Sequence, residues 1–315
     1  MSRTGPLATL VACLLVAVPP ARAAAPAGTS PDAALAAMVE TERAFAALAV
    51  AKGMREAFIT YIAEDGVGFD NGPIPLRQAM RDRPAGPESF TLIWEPRYGD
   101  VAASGEVGYL TGPYRVEGKG KDGAPFTRHG CFFSVWRRQA DGEFRNIVDI
   151  GVRLPGEAAF EPGFKRAPHA DRSAGMTAAI TAGPAGAEVT LRAADQALDA
   201  AARSGTLREA LGAVLDPHAR LHREGVMPAA GAAAGRKLLE GAGRLAEAET
   251  RFVGMAQSGD LGWSYGRYAF APAGAPSGGA AATPERGSFA RVWARDHAET
   301  WRVVADIASP DREAP

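Results

Sequence analysis

Met54-Arg55-Glu56-Ala57-Phe58 and, further along the chain, Leu207-Arg208-Glu209-Ala210-Leu211 read as two versions of one segment. Apolar residues fall at Met54, Ala57, Phe58, Tyr61 and Ile62 in the first, and at Leu207, Ala210, Leu211, Val214 and Leu215 in the second. Both follow i, i+3, i+4, i+7, i+8, the stripe of an amphipathic helix. Outward from this pair, at an offset of 153 to 157 residues, Ser104-Gly105-Glu106-Val107-Gly108-Tyr109 stands against Ser258-Gly259-Asp260-Leu261-Gly262-Trp263. Gly112-Pro113-Tyr114 stands against Gly266-Arg267-Tyr268, Gly130 against Gly287 and Val135-Trp136 against Val292-Trp293. Phe144-Arg145 matches Trp301-Arg302, and Asp149-Ile150 matches Asp306-Ile307. Blocks that keep their order at a near-constant spacing mark an internal repeat.

Each copy reads as helix, helix, short strand, a brief helical or loop segment, then a meander of longer strands. Ser-Gly before an alternating run is a turn into a strand, and Asp141-Gly142 is a strong hairpin signal. Helices first and strands afterwards is an α+β plan. A sheet that covers helices with one face curls around them and encloses a pocket at its open end. The expectation is two cone-shaped units, residues 33–152 and 188–308, each with N-terminal helices on a curved antiparallel sheet. Residues 153–187, rich in Ala, Gly and Pro, read as a linker between them. A length of 315 residues, twice the roughly 150 of an ordinary domain, agrees with this division.

Residues 1–23 carry Arg3, an apolar run from Leu7 to Val18 and the small-x-small site Ala21-Arg22-Ala23, the pattern of a secretory signal. The mature chain is expected in the periplasm or outside the cell. Pro19 and Pro20 end the apolar run short of the ~20 residues a membrane span needs. Leu10-Val11-Ala12-Cys13 resembles a lipoprotein box, although apolar residues rather than a polar tether follow Cys13. Cleavage removes two of the 35 basic residues, leaving 33 against 36 acidic ones, so nothing in the charge calls for a nucleic acid or an anionic membrane. Only Cys131 would remain, which excludes an intramolecular disulfide. No dinucleotide, phosphate-loop or zinc-protease motif is present, and no cofactor is expected.

Glu40-Thr41-Glu42-Arg43-Ala44-Phe45, the run Tyr61 to Val67, Val135-Trp136-Arg137-Arg138 and Asn146 to Gly151 together resemble the nuclear transport factor 2-like superfamily, and more narrowly its SnoaL-like members. The resemblance covers nearly all of residues 33–152 and, more weakly, 188–308. It implies a cone with a cavity between helices and sheet. It implies little about activity, because isomerases, cyclases, dehydratases, epoxide hydrolases and non-catalytic binding modules share that scaffold.

Ala63 to Asp70 further resembles the segment of ketosteroid isomerases that ends in the proton-abstracting aspartate, and Asp70 falls on that position. A carboxylate in an apolar cavity is poised to move a proton beside a carbonyl. Asp70-Asn71-Gly72 is equally ordinary turn chemistry. The isomerases complete the site with a tyrosine from the first helix and an aspartic acid from a late strand. Here Asp32–Lys52 has no tyrosine, and His129–Trp136 has neither carboxylate nor phenol. His129, Tyr109 and Tyr114 are the substitute donors, with Tyr109, Tyr114 and Trp94 as candidate ligand-binding residues. His129 shares a strand face with Cys131, Phe133 and Val135, which also fits a structural histidine and a buried, inert thiol.

In the second copy Asp70 is matched by Arg223 and His129 by Arg286, so a site built on those residues would exist in the first copy alone. Asp149 with Asp306, and Trp136 with Trp293, are shared and read as requirements of the fold. Asp216, His218, His222 and Glu224 invite a metal hypothesis, but the repeat places His222 on a strand, where it would lie about 13 Å from His218. No metal site is expected. The leading expectation is an exported protein that binds a small apolar or carbonyl-containing molecule. The alternatives are an isomerase, cyclase or dehydratase with Asp70 as base, and a non-catalytic pseudo-dimeric module whose units pair within the chain or form a homo-oligomer.

Overall fold

The first unit runs α1 (Pro31–Lys52), α2 (Met54–Tyr61), β1 (Ile62–Phe69), β2 (Pro73–Pro75), α3 (Leu76–Asp82), β3 (Phe90–Trp94), β4 (Tyr98–Val101), β5 (Val107–Lys119), β6 (Pro125–Arg138), β7 (Phe144–Leu154) and β8 (Lys165–Arg166). The second runs α4 (Gly183–Ser204), α5 (Leu207–Val214), β9 (Leu215–Arg223), β10 (Ala229–Ala230), α6 (Ala232–Leu238), β11 (Leu245–Met255), β12 (Leu261–Phe270), β13 (Arg286–Arg295) and β14 (Trp301–Pro310). This computed structural model describes residues 30–86, 88–168, 183–271, 285–295 and 299–312. The expected signal at 1–23, with Cys13, lies outside the described residues, as does the middle of the expected linker. Among the described residues no helix is long and apolar enough to cross a membrane.

Local chemistry sets the helix ends. The Ser30 hydroxyl accepts from the Ala33 N–H (3.2 Å) with Pro31 in the first turn, and Gly53, at φ 90°, stops α1. Thr206 and Glu209 form a reciprocal capping box on α5. Gly142, at φ 87°, makes the turn between β6 and β7 where Asp141-Gly142 predicts it.

The first sheet has the order β2-β1-β7-β6-β5-β4-β8, with β3 also on β5; the second has β10-β9-β14-β13-β12-β11. One strand order thus recurs in both units. The long strands of each meander pair antiparallel as expected, and three parallel pairs join them: β1 lies parallel to β7, β9 to β14 and β4 to β8. The chain leaves β1 through a helix and returns beside it only at the end of the meander, so the two strands run the same way. Register breaks at Val135/Trp136 and at the matching Val292/Trp293 bend the central strands, which gives each sheet its curl.

The first and last segments of the expected linker belong to regular structure. β7 continues to Leu154, β8 adds to the first sheet through Tyr98–Lys165 and Gly99–Arg166 pairs, and α4 already begins at Gly183.

Among the described residues three apolar cores result. In the first cone Phe45 of α1 stands 4.8 Å from both Phe58 and Trp94, above Leu110, Phe132 and Trp136 of the sheet. In the second, Leu191 and Leu198 of α4 and Leu211 of α5 cover Val303 and Trp293. The third core lies between the two sheets. Tyr109, Cys131, Phe133, Ile150 and Val152 meet Trp263, Val292, Ala305 and Ile307 there, together with Ala158 and Ala167 from the connecting segment. Matched residues touch across it reciprocally: the Ser104 N–H donates to Ser258 Oγ (3.2 Å) and the Ser258 N–H to Ser104 Oγ (3.1 Å). Ala103 N–H likewise donates to Asp260, and Gln257 N–H to Glu106. Equivalent groups exchanging equivalent bonds are the mark of a local two-fold relation.

Candidate functional site

The cone of the first unit holds a cavity of about 590 Å³. This is within the range of small-molecule sites. Its body is apolar, from Phe58 on α2, Phe69 on β1, Leu92 and Trp94 on β3, Tyr114 on β5, and Phe126 and Phe132 on β6. Asp149 of β7 lies in the wall, Asp70 at the rim just past β1, and Arg83, Arg128 and Arg153 line it as well. The strand period of two decides which side chains reach this space. Leu110, Phe132, Ser134 and Trp136 face the helices, while Tyr109, Cys131 and Phe133 face the other sheet.

Of the candidate ligand-binding residues, Trp94 and Tyr114 line the cavity and Tyr109 does not. Tyr109 is wholly buried between the sheets, stacked 6.4 Å from Phe133. His129 likewise has to be set aside as a donor to Asp70. It sits on the strand face of Cys131 and Phe133, paired with Arg115 and Leu154, and that face turns away from the cavity. Burial pushes the Cys131 thiol up to about 12, so it is held as an inert thiol. Asp70 is exposed, and its backbone N–H closes the turn onto the Gly72 carbonyl (2.9 Å).

Tyr114 lies across its neighbours: a Cβ on Gly130 would stand 2.0 Å from its Cζ, and one on Gly151 3.2 Å from its ring. The tyrosine fills the space that the glycines vacate, and Tyr268 does the same over Gly287. Burial, with the charge of Glu224, pushes the Tyr114 phenol up to about 12, so at neutral pH it carries its proton.

Beneath the cavity floor, Glu42 of α1 is buried and accepts from Trp94 Nε1 (2.7 Å), Ser134 Oγ (2.7 Å) and Trp136 Nε1 (2.8 Å). Desolvation raises its pKa in spite of these three bonds. Asp149 accepts from Asn146 Nδ2 (2.9 Å); burial first, then the charge of Glu42, pushes it up to about 7. A carboxyl group at that value gives and takes a proton with equal ease at neutral pH.

The second unit shows what Asp149 lacks. Ser134 stands opposite Asp149 across β6 and β7, and Arg291 stands opposite Asp306 across β13 and β14. Arg291 Nε donates to Asp306 (3.1 Å), and its Nη1 to Asp195 and Asp199 of α4 (3.1 Å each). Arg223 adds a second cation on Asp306. Although desolvation opposes it, the charges of Asp195, Asp199 and Asp306 hold the Arg291 guanidinium above its ordinary value. Buried ion pairs thus occupy the second cone's interior, whereas Ser134 leaves the first cone open and its carboxyls without that cation. Asp149 and Glu42 are the site residues that sequence reasoning passed over. The mismatch of Ser134 with Arg291 at a matched position was the signal for Asp149.

The four residues weighed as metal ligands, Asp216, His218, His222 and Glu224, do not form one group. His222 is buried with Nε2 3.1 Å from Thr111 Oγ1, and burial followed by the charges of Arg223 and Arg220 lowers it to about 3. His218 is exposed, and Glu224 bonds Arg153. Among the described residues no group of three or more His, Cys, Asp or Glu is placed to hold a metal ion.

No protein-family model matches the chain, and neither does any curated protein. Among solved structures it is similar to a dehydratase-like member of the nuclear transport factor 2-like family from Streptomyces avermitilis, at 13% identity and a TM-score of 0.34, over 41% of this chain and 99% of that one. A ketosteroid isomerase-like protein from Erwinia carotovora is similar at 15% identity and 0.32, over 38% and 95%. A nuclear transport factor 2-like protein of unknown function from Shewanella oneidensis is similar at 12% and 0.30, over 38% and 95%. Overlaps of this size leave the chemistry of the site to its own geometry.

Proposed function

We propose that this is an exported protein whose first cone binds one small, mainly apolar molecule, and whose second cone is closed by ion pairs and serves as a scaffold. The observation that carries this reading is the contrast between the open 590 Å³ cavity and the Arg291 network at the matched place. Trp94, in the cavity wall, is the reporter. Titration with apolar and carbonyl-containing compounds, followed by tryptophan fluorescence, is expected to saturate at one molecule per chain and to lose its signal in Trp94→Phe. Two equal sites, or saturation that Trp94→Phe leaves unchanged, would refute it.

A second reading follows from Asp149 alone. A carboxyl pushed up to about 7, in the wall of a cavity that Tyr114 also lines, is suited to proton exchange at a carbon next to a carbonyl. In this reading Asp149 takes the role that the family resemblance assigned to Asp70. Wild-type protein in D2O is expected to exchange the α-protons of a bound ketone faster than Asp149→Asn does, with Asp70→Asn close to wild type. Equal rates in wild type and Asp149→Asn would remove the catalytic reading and leave the binding one.

A further inference from the structure

The cavity of the first cone does not end within its own unit. Ser309 and Pro310, at the end of β14, and the following Asp311 and Arg312 form part of its wall. The Asp70-Asn71-Gly72 turn holds that segment. Asn71, at φ 54°, donates from Nδ2 to the Arg312 carbonyl (3.2 Å) and accepts the Arg312 N–H on Oδ1 (2.8 Å). The Asp311 N–H is bound in turn by the Arg286 carbonyl (2.8 Å). Gly72, at φ 140°, lies under Arg267 of the second unit, whose Nη1 would stand 3.1 Å from a Cβ there.

The charges around this mouth do not cancel. Asp311 is taken up by Arg267 in a two-point pair (2.6 and 3.1 Å), and Arg153 by Glu224. Arg312, Arg128 and Arg83 make no ion pair among the described residues; Arg128 lies 4.8 Å over the Phe126 ring. Against these three cations the wall sets Asp70 at the rim and Asp149 deeper in, a carboxyl only partly charged at neutral pH. Planar guanidinium groups at the entrance of an apolar hollow suit a ligand with a greasy body and an anionic head.

We propose that the ligand of the first cone is an amphipathic organic anion, its head held at the mouth by Arg128 and by Arg312, which the second unit supplies. The tandem arrangement then has a direct purpose: one unit provides the cavity, the other a residue of its selectivity. This rests on the cavity reading, and the test separates the two.

N-phenyl-1-naphthylamine, a neutral fluorescent probe of apolar sites, is displaced from the full chain by decanoate and by 1-decanol, which share a ten-carbon chain and differ in the head. Decanoate is expected to compete at roughly one tenth of the decanol concentration, and the advantage to shrink as salt is raised. Arg312→Gln and Arg128→Gln are each expected to weaken decanoate by about 3-fold to 10-fold and to leave decanol unchanged. The backbone bonds between residue 312 and Asn71 survive the first substitution, so a change reports the side chain. Decanoate and decanol binding alike, or both variants matching wild type, overturns the anion proposal while the cavity stands. Failure of the probe and both competitors to bind overturns the cavity reading with it.

Discussion

Asp149 has a price that its neighbours do not remove. Its carboxyl is pushed up to about 7 by burial and by Glu42, while in the unfolded chain it titrates near 4. Below pH 4 both states hold the proton, and the group adds no penalty. Between pH 4 and 7 only the folded state keeps it, so stability falls as the pH rises, by up to about 4 kcal/mol in all. Asp149→Asn keeps an acceptor for Asn146 and carries no charge. It is expected to be more stable than wild type at pH 8 and to flatten the decline between pH 4 and 7, as read from urea unfolding at each pH. An unchanged slope would show that Asp149 does not hold its proton in the fold. Glu42 contributes in the same direction, since its pKa is raised too, so some decline is expected to remain.

At the level of strands, one pair of neighbours makes the two cones different. β6 and β7 bring Ser134 opposite Asp149, and β13 and β14 bring Arg291 opposite Asp306. The helices answer in kind. Glu42 on α1 accepts neutral indole and hydroxyl donors, while Asp195 and Asp199 on α4 accept the guanidinium. Removing Arg291 would leave three buried carboxyls against the weaker cover of Arg223, Ser264 and Thr250. Arg291→Met is therefore expected to cost about 3–5 kcal/mol in urea unfolding, most of it regained at low pH where the carboxyls are neutral. A cost under 1 kcal/mol would mean that the network does not hold the second cone closed.

Across the whole molecule, the core between the sheets packs the two cones against each other, and they are expected to unfold together. Val292 is buried in it, among Tyr109, Phe133 and Ile150 of the other sheet's layer. A charge placed there has no partner and loses solvation on both sides. Val292→Asp is expected to lower the melting temperature of the chain as a whole, with tryptophan signals from Trp94 in one unit and Trp301 in the other moving together in calorimetry and fluorescence. Wild type is expected to melt in one transition. Two separated transitions, with the variant affecting only the later half, would show that the units fold independently.

Much of this was legible along the chain because it is periodic or local. The helical stripes at Met54 and Leu207, the Asp141-Gly142 turn and the matched Gly-Tyr positions declare themselves through spacing, and spacing dictates which face an element buries. The alternation that placed His129 with Cys131 and Phe133 was readable for the same reason. Which side of the sheet each face would meet was not, because a curled sheet with a second sheet behind it has two buried faces, and both look alike in sequence. His129 and Tyr109 therefore read as cavity candidates when both lie on the strand face that turns away from the cavity, Tyr109 buried in the joint between units. Asp149 read as a requirement of the fold because its match, Asp306, is one. The mismatch of Ser134 with Arg291 stands in the sequence, but only the packing showed that this arginine is the one that neutralises Asp306, since a pKa depends on what surrounds a carboxyl in space and not on what precedes it in the chain.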